Sequence, residues 1–176
     1  MQLFTDSAVT IARPADAGAI TRLLNSAYRG DSSRGGWTTE ADFIAGETRT
    51  VETQVEALIR QPESVFLVLR EENRLLGCVN LQVHHPRVYF GMFSVQPGEQ
   101  GRGLGKRLMQ AAEEYTLQQH CTHIYMSVIS LRTELINWYQ RHGYRDTGER
   151  KPFHEDGISG KHLKPLEFMT MEKKME

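Results

Sequence analysis

The sequence predicts an α/β protein, with one mixed, largely antiparallel sheet of about seven strands flanked by helices. Three observations carry this expectation. The apolar runs "SVFLVLRE", "RLLGCVNLQVHH" and "RVYFGMFSVQ" follow one another across the short turns "EENR" and "HPR", which makes them antiparallel neighbours. On either side of that trio, segments with apolar residues at helical spacing alternate with short strand-like runs. A glycine-rich stretch, "FSVQPGEQGRGLGKRLM" at positions 93–109, joins the third run to a helix.

Taken in order, "AVTIARPAD" reads as a short strand stopped by Pro14. Asp16 then caps a helix whose Ile20, Leu23, Leu24 and Ala27 share a face. The irregular segment "YRGDSSRGGWTTE" follows, after which Thr39 is expected to cap a helical piece, "EADFIAG". A second helix, "VETQVEALIRQ", sets Val51, Val55, Leu58 and Ile59 on one side and ends before Pro62. Beyond the trio of strands and the glycine loop, "LGKRLMQAAEEYTLQQ" places Leu104, Leu108, Ala111 and Tyr115 on one stripe. "THIYMSVIS" reads as a buried strand and "RTELINWYQRH" as a helix closed by Gly143. "GYRDTGER" and "LEFMTMEK" read as two closing strands, separated by a second irregular stretch, "RKPFHEDGISGKHLKP". Irregular segments of this length often form binding loops.

Composition narrows the function classes. With 21 basic and 22 acidic residues in 176, the chain lacks the basic excess of a nucleic-acid binder. Its two cysteines, Cys78 and Cys121, sit in or beside apolar runs and form neither a disulfide framework nor a zinc motif. The first ten residues show no signal pattern, and no apolar run reaches membrane-spanning length. The expectation is therefore one domain over 1–176 in a reducing cytoplasm, with no metal, nucleic acid or membrane partner; a homodimer stays open.

The glycine loop is the chief functional signal. It is not a Walker loop, because Gly105-Lys106 is followed by Arg107 and the position five before Gly105 is Gln100. The dinucleotide fingerprint also fails, since the third glycine position falls on Lys106 or Leu108. The arrangement that fits is Gln-x-x-Gly-x-Gly, read as Gln100, Gly103 and Gly105 directly after a strand. With the downstream "WYQRHGYRDTGE", this resembles the GNAT N-acetyltransferase superfamily from about Thr10 onward. The physics agrees: N–H groups at a helix start have no internal partner, the helix dipole adds positive potential, and glycine lets phosphate oxygens approach.

That resemblance implies acetyl-CoA as co-substrate. It assigns main-chain contacts with the pantetheine to Phe93, Ser94 and Val95, in a gap where the strand splays from its neighbour. Phosphate contacts fall to Gly101, Arg102, Gly103, Leu104, Gly105 and Lys106, with Arg102 and Lys106 adding charge at the rim. Tyr139 matches the family tyrosine that protonates the departing thiolate. One departure is Arg132, which stands where the family often has an asparagine. The base is left among His84, His85, Glu40 and water, with His154 also within the region. The acceptor wall is expected between Tyr28 and Phe43, with Trp37 and Glu40 as substrate contacts and Arg29 or Arg34 available for a carboxylate. The function expected is transfer of acetyl from acetyl-CoA to a primary amine of a small molecule or peptide, by direct transfer in a ternary complex. The alternative is a non-catalytic acyl-CoA sensor or partner module on the same fold. A free-thiol assay separates the two.

Overall fold

The computed structural model describes residues 1–176. Its main sheet has seven strands, here β1 (Val9–Ile11), β3 (Ser64–Glu71), β4 (Arg74–His84), β5 (Arg87–Val95), β6 (His123–Ile129), β7 (Arg145–Phe153) and β9 (Leu166–Lys174). They lie side by side in the order β1-β3-β4-β5-β6-β9-β7. All neighbours are antiparallel except β5 and β6. The mixed, largely antiparallel sheet read from the sequence is the one observed.

Helices cover both faces. On one side lie α1 (Ala17–Tyr28) and α3 (Glu52–Arg60), whose Ile20, Leu23, Leu24 and Val55 pack on Phe66, Val68 and Cys78 of the sheet. On the other, α4 (Leu104–Gln118) and α5 (Thr133–Arg141) put Leu108, Ala111, Leu135 and Tyr139 against Leu67, Leu81, Phe90 and Met126. The alternation of side chains along β3 and β4 thus feeds two cores, which is why both strands read as nearly continuous apolar runs.

Two local expectations change. "EADFIAG" is no helix: Phe43 and Ile44 N–H both donate to the Glu40 carbonyl in a single turn, and Ile44–Ala45 then forms β2. That strand pairs antiparallel with β8 (Lys161–His162), tying the two irregular segments together. Thr39 Oγ1 accepts the Ala41 N–H, as a turn residue does, and shares a hydrogen bond with the Ser33 hydroxyl. Asp16 holds the position before α1, but its carboxylate takes the Arg13 N–H and the Arg70 guanidinium instead of capping the helix. A five-residue helix, α2 (Gly30–Arg34), also lies in the first irregular segment.

The feature that positions the site is the partial pairing of β5 with β6. Only Arg87–Tyr89 pair with His123–Tyr125. Beyond them, the edges of Phe90–Val95 and Met126–Ile129 part. On its other edge β5 carries a register shift against β4, with Met92 at φ +51°. Such a bulge bends the strand and sharpens its twist, and here it directs the end of β5 away from β6.

Candidate active site

The opening between β5 and β6 is lined on one side by a long cleft of about 740 Å³. Its floor is Phe93, Ser94 and Val95; its far end is Gly101, Gly103, Leu104, Gly105 and Lys106 at the start of α4. The other wall is α5, through Leu135, Trp138, Tyr139 and Arg141, with His142 just beyond. The sequence-predicted loop, strand end and tyrosine are therefore brought together.

The loop is built for an anion. No protein acceptor takes the backbone N–H of Gly101, Arg102, Gly103, Leu104, Gly105 or Lys106; the first helical bond in α4 comes from Arg107 to the Gly103 carbonyl. Gly101 and Gly103 stand at φ +85° and +75°, where a side chain is strained, and a Cβ on either would meet no protein atom within 4 Å. That empty space is what a phosphate cradle requires. Gly105 is glycine for another reason: a Cβ there would come 3.2 Å from the Phe93 ring. These features fit the pyrophosphate of a coenzyme A thioester.

Gln100 ties this loop to the rest of the cleft. Its amide donates to the Val95 carbonyl at 3.3 Å and accepts the Trp37 N–H. Arg102 departs from expectation. Its guanidinium is held by Glu99 at 2.6 Å and Glu71 at 2.8 Å and points away from the cleft, so only its backbone N–H remains for a phosphate. Lys106 lines the cleft without an ion-pair partner, as does Arg141. The sequence reading passed over Arg141 and His142, although both follow Tyr139 within one helical turn. His142 Nδ1 donates to the Trp138 carbonyl at 2.7 Å, with its ring 4.2 Å from the Trp138 ring.

Adjoining the long cleft is a smaller cavity of about 80 Å³. Tyr28, Phe93, Arg132, Leu135 and Tyr139 line both spaces, so the two meet at these side chains. Tyr139 is 4% exposed and packs edge-on to Phe90, Trp138 and Tyr144. Burial pushes its phenol well above the ordinary tyrosine value. The Tyr28 hydroxyl donates to the Phe93 carbonyl at 2.8 Å, and burial, with the nearby Glu40 charge, raises it to about 12.

Beneath this junction is a buried charge cluster. Glu40 accepts from Arg29 at 2.6 Å and from Arg132 at 2.9 Å, and Arg132 also donates to Thr38. Arg29 and Arg132 are 1% and 6% exposed, yet Arg29 Nη2 and Arg132 Nε have no partner. Burial pulls the Arg29 guanidinium below its usual range, and the adjacent Glu40 carboxylate opposes that pull.

The remaining predicted residues fall elsewhere. Trp37, 51% exposed, sits on the long cleft 6.4 Å from Trp138 and does not line the small cavity. Arg34 pairs with Asp42 at the surface. His84 and His85 lie at the far end of β4, where His85 meets Cys121; Arg87, which pairs with His84, is six residues before Phe93, about 20 Å along the strand. Neither histidine lines a cavity of the site, nor does His154.

A sheet split at one parallel pair, with a phosphate-type loop at its mouth and a tyrosine at its throat, defines an acyl-CoA-binding fold. Residues 20–144 match the Acetyltransferase (GNAT) family, and the chain belongs to that family. It is 33% identical over 64 residues to the spermine/spermidine N(1)-acetyltransferase of Bacillus subtilis (strain 168), covering 36% of this chain and 42% of that one. With the mycothiol acetyltransferase of Gordonia bronchialis it shares 29% identity over 151 residues, 81% of this chain and 46% of the other. The chain thus spans less than half the length of these curated relatives. Among solved structures, yncA from Salmonella typhimurium, determined with its cofactor acetyl-CoA, superposes with a TM-score of 0.68 at 18% identity. That likeness covers 96% of this chain and 93% of the other.

Proposed function

We propose that residues 1–176 form one acetyl-CoA-dependent N-acetyltransferase domain acting on a primary amine of a small molecule or peptide by direct transfer. The observation that carries the reading is the meeting of two cavities at the side chains of Tyr28, Phe93, Arg132, Leu135 and Tyr139. A cofactor in the larger cavity and an acceptor in the smaller one would meet there, as direct transfer requires. The relatives named as acetyltransferases support the same chemistry. Two unpaired, buried thiols suit a reducing cytoplasm.

Acetyl-CoA supplies an acetyl group activated as a thioester. The N–H groups from Gly101 to Lys106 and the Lys106 ammonium hold its phosphates, and the edge of Phe93–Val95 that β6 leaves unpaired lies beside its pantetheine arm, its Phe93 and Val95 carbonyls already taken by Tyr28 and Gln100. Trp37, predicted for the acceptor, is reassigned to the wall of this arm because it packs toward Trp138. Tyr139, kept protonated by burial, gives its hydroxyl hydrogen bond to the departing sulfur. Both groups share one desolvated site, so burial raises the proton affinity of the thiolate as well as that of the phenol. Glu40 has both carboxylate oxygens on arginines, so its role is to order Arg29 and Arg132. The amine proton leaves through water, since His84 and His85 are at the wrong end of the sheet.

Tyr139→Phe tests the assignment. Ring packing is retained, so the gain in melting temperature with acetyl-CoA stays, while amine-dependent thiol release falls by about 10²-fold or more. Undiminished release removes Tyr139 from the chemistry. Absence of release from the unmodified protein, with acetyl-CoA still bound, favours a sensor instead.

A further inference from the structure

The electrostatics of the small cavity narrow the acceptor. Its only acidic residue is Glu40, and that carboxylate is shared between two buried arginines. The cluster of Arg29, Glu40 and Arg132 therefore carries one net positive charge, with two buried N–H groups unpaired. Arg49 adds a second positive charge. It lines the same cavity, forms no ion pair, and lies with its guanidinium carbon 5.5 Å from the Tyr28 ring centre.

Tyr28 and Tyr89 line the cavity with Arg49, and the charges of Arg29 and Asp156 lie close enough to interact with it. Asp156 keeps its negative charge while one oxygen takes the N–H groups of Ile158 and Ser159 and the Ser159 hydroxyl, and it offsets part of the Arg49 charge without forming an ion pair with it; three arginines against two carboxylates leave one positive charge over. The cofactor cleft contains no acidic residue at all. Uncompensated buried positive charge is costly, and an anion of the right size relieves the cost. The phosphates of the cofactor are committed at the α4 end, and a thioester is neutral, so the anion has to come with the acceptor.

We propose that the acceptor is a small amine that also carries a carboxylate, an amino acid by chemical class, and that Arg49 holds that carboxylate. This rests on the acetyltransferase reading. The cavity, about 80 Å³, holds roughly two or three waters at liquid density, which suits a compact charged head group. A polyamine is repelled, since its ammonium groups would meet arginines and find no free carboxylate. Arg49 is a binding and specificity residue here; its guanidinium fork suits a carboxylate better than an ammonium does.

The test pairs each L-amino acid of a panel with its own carboxamide, with spermidine alongside, and follows CoA thiol release. At least one acid is expected to exceed its amide by about tenfold or more in kcat/KM, worth about 1.4 kcal/mol, and to exceed spermidine by more. Arg49→Met should bring acid and amide together through a rise in KM for the acid, and Arg49→Lys should restore part of the difference. Amides or spermidine equalling or surpassing every acid overturns the inference. So does an Arg49→Met protein whose kcat falls equally for acid and amide, because the arginine would then act on transition-state charge. If wild-type protein transfers to no amine, the acetyltransferase reading fails, and calorimetric titration of the CoA complex decides this inference alone. Preferential binding of an acid over its amide supports it, and equal binding overturns it.

Discussion

Replacing Gly103 by valine separates the phosphate cradle from the fold that carries it. Gly103 stands at φ +75° and ψ +12°, directly before α4, and a Cβ there meets no protein atom within 4 Å. Within the protein, the cost is thus backbone strain alone, about 1–2 kcal/mol for a non-glycine residue in this region. For a chain of this size each kcal/mol moves the melting temperature by about 2–4 °C, so the ligand-free variant should melt about 2–8 °C lower. Binding is hit from another direction, because the valine methyls occupy the space through which phosphate oxygens reach the N–H groups. At a concentration 100 times its Kd, acetyl-CoA stabilises the parent by about 2.7 kcal/mol, about 5–11 °C. A hundredfold loss of affinity leaves about 0.4 kcal/mol, roughly 1 °C. Differential scanning fluorimetry with and without acetyl-CoA, backed by calorimetric Kd values, reads both effects. Gly98→Ala is the control, since that Cβ is also unobstructed and no positive φ is involved; both quantities should stay at parent values. A Gly103→Val protein with an undiminished acetyl-CoA shift would refute the placement of phosphate on this loop.

Three further outcomes follow from neighbouring residues. Arg102→Ala should leave acetyl-CoA affinity unchanged, because its side chain is spent on Glu99 and Glu71, whereas Lys106→Ala should weaken it; equal losses would put both side chains on the phosphates. Glu40→Ala strands two buried arginines and should cost about 3–5 kcal/mol by urea denaturation; a loss under 1 kcal/mol would mean the cluster is solvated. Burial, chiefly, raises the Tyr28 pKa from its ordinary value of about 10 to about 12, so its stabilising contribution is intact below pH 10 and is lost as pH rises toward 12. Tyr28→Phe should flatten that alkaline decline in stability, and an unchanged profile would show that the phenol titrates normally.

The glycine loop was legible in the sequence because its requirements are local. Gln100, Gly103 and Gly105 mark a turn, a positive φ and a close helix approach within six residues, and α4 follows at once. The strand trio was equally plain, since apolar runs joined by short turns have few ways to pair. Tyr139 was found by its place on a helix behind a strand, and the structure sets it at the junction of the two cavities. What failed were residues whose roles depend on distant partners. "EADFIAG" has helical spacing, but Ile44 finds a β partner in His162, 118 positions on in "KHL", and Gly46 turns at φ +106°. Arg102 looked like a phosphate ligand until Glu71, from another strand, took its guanidinium. Arg49 carried no local signal, because it is an arginine in an irregular stretch that becomes distinctive only when surrounding carboxylates prove to be occupied. Short-range constraints thus determined the four longer helices, the strand trio and the glycine loop. The parting of β5 from β6, the side of the cleft on which Trp37 and Glu40 fall, and the charge facing the acceptor were decided by tertiary structure, because each depends on groups brought together from far apart in the chain.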